Sequence, residues 1–425
     1  MDDVTTTGHT ERVMKPTRLY LFEHDPAPDS CWSLSAGPDG RIYASACCEL
    51  VPGGGVTIVR YDEGNDRLET VIDVADAVGE PLTSGRATQC KVHYGFAASP
   101  GTGILYAATH LSAPGYGQLA YSPWADWKDD ARSFPRSYLL AYDTRRDAVA
   151  WTSPFIPREG CRCLALDEER GRLYAVSYPR DHFWIYDIET RNIRDLGRLG
   201  SINSQGIFTD RRGRVFTTNG DGQLVRYSPD TDRLEELPVS VPVTPGLSSW
   251  HAVIYDVVAS PAGDCVYGVP WNTSPRLFRY WPEDGPNGRM EDLGPVHQDR
   301  DSTALVPFAL DHCGGLVFGA DGKLYYAIGH WPAGDESKPM PCDRIDTTGT
   351  IVRYDPDSGE RSDVARIAGK PGGQGHYVSR AARDHKGNLY FGQVMRPLPA
   401  AGLSRLVMDA PEGRGALHAP VRTWG

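Results

Sequence analysis

The sequence lacks an uninterrupted apolar run near the roughly 20 residues a membrane span needs, and residues 1–15 carry no apolar stretch of the kind that opens a signal peptide. Those absences predict a cytoplasmic protein that neither spans nor lines a membrane. A basic stripe is missing too. With a formal net charge of −11, the chain has no means of displacing phosphate counterions, which argues against nucleic acid as a partner. No CxxC pair occurs, so a zinc ribbon is excluded. The nine cysteines are odd in number, and the spacing of Cys47-Cys48 and Cys161-Arg162-Cys163 is no disulfide framework; reduced thiols are expected. Long helical patterns are also missing, because 46 glycines and 33 prolines punctuate all 425 residues.

What is present is a repeat. An Asp/Gly-rich turn precedes an aliphatic–aromatic pair at Ile42-Tyr43, Leu105-Tyr106, Leu173-Tyr174, Val215-Phe216, Val266-Tyr267, Leu324-Tyr325 and Leu389-Tyr390, seven copies spaced 42 to 68 residues apart. Each copy follows a short apolar run. Each precedes another strand, which ends in most copies with Tyr and a polar residue: Tyr61-Asp62, Tyr142-Asp143, Tyr186-Asp187, Tyr227-Ser228 and Tyr354-Asp355. Copy five offers Tyr280-Trp281, and copy seven only Met408-Asp409. Strand, tight turn, strand, loop, strand, tight turn, strand is one four-stranded antiparallel blade. The pattern predicts an all-β, seven-bladed β-propeller over residues 17–425, one domain, with a disordered or loosely attached segment over 1–16. The strand Thr17 to Glu23 should complete the last blade as the closing strand of the ring.

Loop lengths select the working face. The turns between first and second strands are short, whereas Leu111 to Arg136, Pro238 to Trp250 and Trp331 to Thr348 are long, and long loops on a rigid scaffold carry function. Tyr116, Tyr121, Trp124, Trp127, Trp250, Trp271 and Trp331 would give that rim aromatic platforms. Two positions per blade face the top of the central channel: the start of the first strand and the end of the second. They are Cys31 and Cys47 in blade one, His93 and His110 in blade two, and Arg162 and Tyr178 in blade three. Blade four gives Ser204 or Gln205 with Asn219, blade five His251 and Trp271, blade six His312 and His330, and blade seven His376 and Gln393. Six of the 12 histidines thus fall at one end of one cavity. Carboxylates are nearly missing from these positions, which speaks against a two-carboxylate glycosidase and against a hard-cation calcium site. Taken singly, a histidine at a blade start more often ties a neighbouring backbone than does chemistry; the constellation is the signal, and it suits an anionic substrate.

Lys91-Val-His93-Tyr-Gly-Phe96 and Leu105-Tyr-Ala-Ala-Thr-His110, with Arg162, Leu173-Tyr-Ala-Val-Ser-Tyr178-Pro179 and Phe183-Trp-Ile-Tyr-Asp187, resemble blades two and three of seven-bladed polysaccharide lyases of the ulvan lyase and rhamnose–glucuronate lyase type. The specific likeness covers about residues 86 to 200. It implies that His93, His110, Arg162 and Tyr178 perform β-elimination at a uronic acid of an acidic oligosaccharide or glycoside. The chemistry agrees. Arg162, with Gln205 or Asn219, would neutralise the carboxylate as the enolate develops, and His110 or Tyr178 would act as base and acid, His93 supporting. Trp250, Trp271, Trp331 and Gln393 would bind substrate. His251, His312, His330 and His376, with Gln374 or Gln393, form a metal candidate for manganese, zinc or calcium. Oligogalacturonate lyases are more distantly similar in using manganese, although their closely spaced histidine ligands are not reproduced. A metal-free site whose histidines touch the sugar acid directly is the alternative. Two other readings stand beside the lyase: a propeller hydrolase or cyclase acting on another anionic small molecule, and a noncatalytic propeller that binds a sugar or protein partner on its top face.

Overall fold

The computed structural model describes residues 14–49, 53–84, 86–111, 133–200, 204–244, 252–271, 275–297, 312–329, 349–367, 378–394 and 401–408, with His312 described in its backbone only. After the N-terminal strand β1 (Arg18–Leu21), blade one comprises β2 (Leu34–Ala36), β3 (Ile42–Cys47), β4 (Val56–Asp62) and β5 (Arg67–Asp73), followed by a one-turn helix α1 (Val74–Val78). A strand β6 (Gln89–Lys91) leads into blade two, which comprises β7 (Phe96–Ser99), β8 (Ile104–Ala108), then past β9 (His110–Leu111) the strands β10 (Arg136–Asp143) and β11 (Ala148–Pro157). Blade three is β12 (Gly160–Asp167), β13 (Arg172–Tyr178), β14 (His182–Asp187) and β15 (Ile193–Arg198). Blade four is β16 (Phe208–Thr209), β17 (Val215–Thr218), β18 (Gln223–Ser228) and β19 (Arg233–Ser240). Blade five is β20 (Val253–Ala259), β21 (Val266–Trp271), β22 (Arg276–Trp281) and β23 (Arg289–Pro295). Blade six is β24 (His312–Phe318), β25 (Leu324–Gly329), β26 (Gly349–Tyr354) and β27 (Arg361–Arg366). Blade seven is β28 (Val378–Arg383), β29 (Leu389–Gln393) and β30 (Gly402–Leu406), completed by β1 on its outer edge, Arg18 opposite Arg405. The chain is therefore a seven-bladed β-propeller, and its first strand closes the ring.

The repeated sequence pairs owe their spacing to packing between blades. The aromatic of the second strand in one blade meets the tyrosine of the third strand in the next. Ring centroids are 5.8 Å apart for Tyr43 and Tyr142, 5.6 Å for Tyr174 and Tyr227, 5.8 Å for Phe216 and Tyr280, 6.4 Å for Tyr267 and Tyr354, and 5.4 Å for Tyr390 and Tyr61. Between blades two and three, Trp151 bridges Tyr106 and Tyr186. Blade seven has no such tyrosine, and Leu406 fills the place in the cluster around Tyr325. The apolar core accordingly lies in the seams, where each blade buries a face against its neighbour. The Asp/Gly turns serve the same rings: Asp39, Asp321 and Asp384 accept hydrogen bonds from Tyr43, Tyr325 and Tyr390. All eight described cysteines are buried free thiols.

The innermost strands are bulged. In β12 the pairing skips from Cys161 to Cys163, in β20 from Ile254 to Asp256, in β24 from Gly314 to Val317 and in β28 from Val378 to Ala381. A bulge leaves its extra residue unpaired and re-aims the side chain; here it frees Arg162, Tyr255 and Arg380. Arg380 then spans the channel. Its guanidinium pairs with Asp256 at 2.6 Å, donates to the carbonyls of Tyr255 and Gln205, and covers the Tyr94 ring with Cζ 3.5 Å from the centroid. Asp256 also accepts from the Leu316 amide of blade six. Blades four to seven and the segment leading into blade two are thus tied at one point.

Candidate functional site

Blades one, two and three gather the candidate residues above that tie. His93 stands before β7, not within it, and His110 lies beyond β8, in β9, which pairs with β6 as a separate two-stranded ribbon. Gly160 permits this: a Cβ there would lie 2.8 Å from His110 Cγ and 2.8 Å from the Leu111 amide nitrogen. Arg162 is the bulged residue of β12, and Tyr178 ends β13. The sequence-predicted group His93, His110, Arg162 and Tyr178 is therefore brought together.

The rings form one stack. Trp32 lies over His93 at 4.8 Å, His93 and His110 are 5.3 Å apart, His110 stacks on Tyr178 at 5.1 Å, and Arg162 Cζ sits 5.1 Å from the Tyr178 centroid. A cation closes the other end, Lys91 Nζ at 4.7 Å from the Trp32 ring. His93 Nδ1 is 2.9 Å from the Arg162 carbonyl and His110 Nδ1 is 2.6 Å from the Leu111 carbonyl. A carbonyl only accepts, so each Nδ1 carries the proton and each Nε2 carries the lone pair. Burial, and then the charges of Arg162 and Lys91, hold both imidazoles well below the usual histidine range. Both are neutral. His110 Nε2 has no hydrogen-bond partner among the described residues. A stack of two neutral bases, a phenol and a guanidinium can remove a proton, return one, and offset a negative charge.

Carboxylates are present, contrary to the sequence expectation. Glu49 binds Lys91 Nζ at 2.8 Å and Trp32 Nε1 at 2.6 Å, and its amide donates to Asp29. Glu159 is buried beside His110 and pairs with Arg180. Asp181 is buried near Arg162, and burial raises its pKa to about 7. All three sit just beyond strand ends, positions that a count of strand starts and strand ends passes over. Trp32 escaped for the same reason, so blade one contributes far more than Cys31 and Cys47, whose thiols burial keeps protonated.

Other expectations are redistributed. Asn219 is committed to its own turn: its side-chain oxygen accepts from the amides of Asp221 and Gln223, and its nitrogen donates to Glu236. Ser204 bonds Thr217 and Thr218. Gln393 donates to Ser404 within blade seven. Gln205 is buried at the channel, where its carbonyl serves Arg380. Trp271 packs 6.1 Å from Tyr255. Trp250, Trp331, His251, His330, Gln374 and His376 lie outside the described residues, as does the side chain of His312. Among the described residues no group of three or more His, Cys, Asp or Glu side chains is arranged to hold a metal ion.

No family model matches the sequence, and no curated protein does. The fold does have solved counterparts. The chain is similar to the extracellular domain of a one-component system from B. thetaiotaomicron, with a TM-score of 0.55 and 13% identity over 92% of this chain, which spans only 40% of that protein. It is similar to the β-propeller domain of Cps50 (Swd1) from Myceliophteria thermophila, with a TM-score of 0.56 and 10% identity over 92% of this chain and 100% of that one. Hydrazine synthase of Kuenenia stuttgartiensis contributes a third likeness, with a TM-score of 0.53 and 12% identity over 91% and 98% of the two chains. At such identities these likenesses establish the β-propeller fold alone.

Proposed function

We propose that this chain is a carbohydrate-active lyase that cleaves a uronic-acid-containing oligosaccharide or glycoside by β-elimination. The observation that carries the reading is the stack of His93, His110 and Tyr178 under Arg162, with two neutral imidazoles whose Nε2 atoms hold lone pairs. In the proposed step the C5 proton of the uronate passes to His110 Nε2. The C5–H electron pair forms the C4=C5 double bond, the C4–O4 bond breaks, and Tyr178 protonates the departing oxygen. Arg162 offsets the charge that gathers on the carboxylate as C5 loses its proton. His93 holds the stack by its bond to the Arg162 carbonyl. A divalent transition metal such as manganese or zinc at His251, His312, His330 and His376 belongs to the same proposal, and no step above is routed through it.

Ultraviolet absorbance of the C4–C5 unsaturated uronate tests the reading, with a panel of uronic-acid oligosaccharides, with and without added divalent ions. A rise with the wild type that disappears in folded His110→Ala supports it; no rise on any substrate sinks it. The second reading, a noncatalytic propeller that binds a sugar or protein partner, draws on the likeness to a domain of a one-component system. Under it no product forms, and changes to the aromatic rim weaken binding of the partner while His110→Ala matters little.

A further inference from the structure

Four buried polar atoms around the stack have no hydrogen-bond partner among the described residues: His110 Nε2, Glu159 Oε2, Asp181 Oδ1 and Arg162 Nε. Their residues are 0%, 0%, 1% and 7% exposed. Buried polar atoms are rarely left unmet, and each such atom calls for an explanation. The four residues are neighbours. Gly160, next to Glu159, packs on the His110 ring, and the Asp181 carboxyl feels the charges of both Arg162 and Glu159. Three of the atoms are acceptors and one is a donor. A ligand that satisfies them presents hydrogens to the three acceptors and a single anionic or acceptor group to the donor.

We propose that Glu159 and Asp181 form a hydroxyl-binding subsite beside Arg162, one that admits a sugar unit with free hydroxyls and rejects a second anion such as a sulfate ester. The inference rests on the uronate reading above and narrows its substrate to unsulfated saccharides with one carboxylate near the stack. Hydroxyl groups donate to the two carboxylate oxygens, the imidazole lone pair faces the C5–H of the uronate, and Arg162 Nε takes the sugar acid. A sulfate offers acceptors only. Placed here it would leave the two carboxylates unmet and add like charge in a buried site, which is how specific sites discriminate. Arg180 already answers one oxygen of Glu159, while Arg162 and Arg198 act on the Asp181 carboxyl through their charge. Burial keeps Asp181 partly protonated near neutrality, a carboxyl already at the limit of the charge its surroundings accept.

Titration calorimetry with a glucuronate-containing oligosaccharide and the same oligosaccharide bearing a sulfate ester on the adjoining unit tests the subsite, using wild type, Glu159→Gln and Asp181→Asn. The wild type should bind the unsulfated compound at least tenfold more tightly, and either isosteric variant should narrow that ratio at least fivefold. Thermal melts confirm that each variant is folded, and two independent variants guard against one failing. Equal or tighter binding of the sulfated compound by the wild type, a ratio unchanged in both variants, or no binding of either compound overturns the subsite. Absorbance of unsaturated product in the same samples separates the two ideas. Preference without product keeps the subsite and defeats the lyase, and product without preference does the reverse.

Discussion

At the scale of single residues, burial decides which groups hold protons. His93 and His110 are neutral in the fold, with pKa values depressed below the ordinary value of about 6.5. Between the depressed and the ordinary value the unfolded chain binds more protons, so their contribution to stability is present above about pH 6.5 and is lost as pH falls below it. Urea titrations at pH 7.5 and 5.5 should show lower stability at 5.5, and His110→Gln should flatten the difference. The same substitution should cut turnover by about 10²–10⁴-fold, the range of a lost general base. Asp181 runs the other way. Its pKa is raised to about 7, so its contribution is full below about pH 3.8 and is lost as pH rises toward 7. At pH 8 Asp181→Asn should therefore stabilise the protein by about 1–2 kcal/mol, read as a higher melting temperature. His93, His110, Arg162 and Tyr178 were legible in the sequence because each falls near a strand end with a fixed offset from an aliphatic–aromatic pair. Glu49, Glu159 and Asp181 were not, because they sit in connections whose conformation no repeat sets. Asn219 and Gln393 show a related limit: residue type shows what an amide can bind, and only the fold shows that a turn holds the Asn219 oxygen and Ser404 the Gln393 nitrogen.

At the scale of elements, bulges and seams carry the site. Gly160 opens the bulged strand β12, and a methyl group there meets His110 Cγ at 2.8 Å. Gly160→Ala should push the imidazole off the stack, lowering turnover at least tenfold and stability by about 1–3 kcal/mol, the usual cost of overpacking. Activity and denaturant titration on the same sample read both. In the seams, Tyr142→Phe removes only the hydroxyl bond to Asp147 and should cost about 1 kcal/mol. Tyr142→Ala also empties the place against Tyr43 and should cost about 3–5 kcal/mol. The seven blades were legible because these seams repeat. The β6–β9 ribbon was not, since two-residue pairings leave no periodic trace, and the bulges were not, since they break the very alternation by which strands are recognised.

At the scale of the whole molecule, closure is twofold: β1 seals the outer edge of blade seven, and Arg380 with Asp256 ties the channel. Arg380→Met strands a buried carboxylate and should cost about 3–5 kcal/mol, whereas Arg380→Met with Asp256→Leu should recover much of it. Chemical denaturation of the single and double variants checks this. The tie matters to function because Arg380 covers Tyr94, the neighbour of His93, so the rigid ring positions the stack. The central claim is that this stack breaks a C–O bond without adding water, and product mass tests it most directly. With an unsulfated glucuronate oligosaccharide, the masses of the two fragments should sum to that of the intact substrate, one fragment carrying the new double bond. Fragments that together exceed the substrate by one water, or a substrate left whole, would contradict the account.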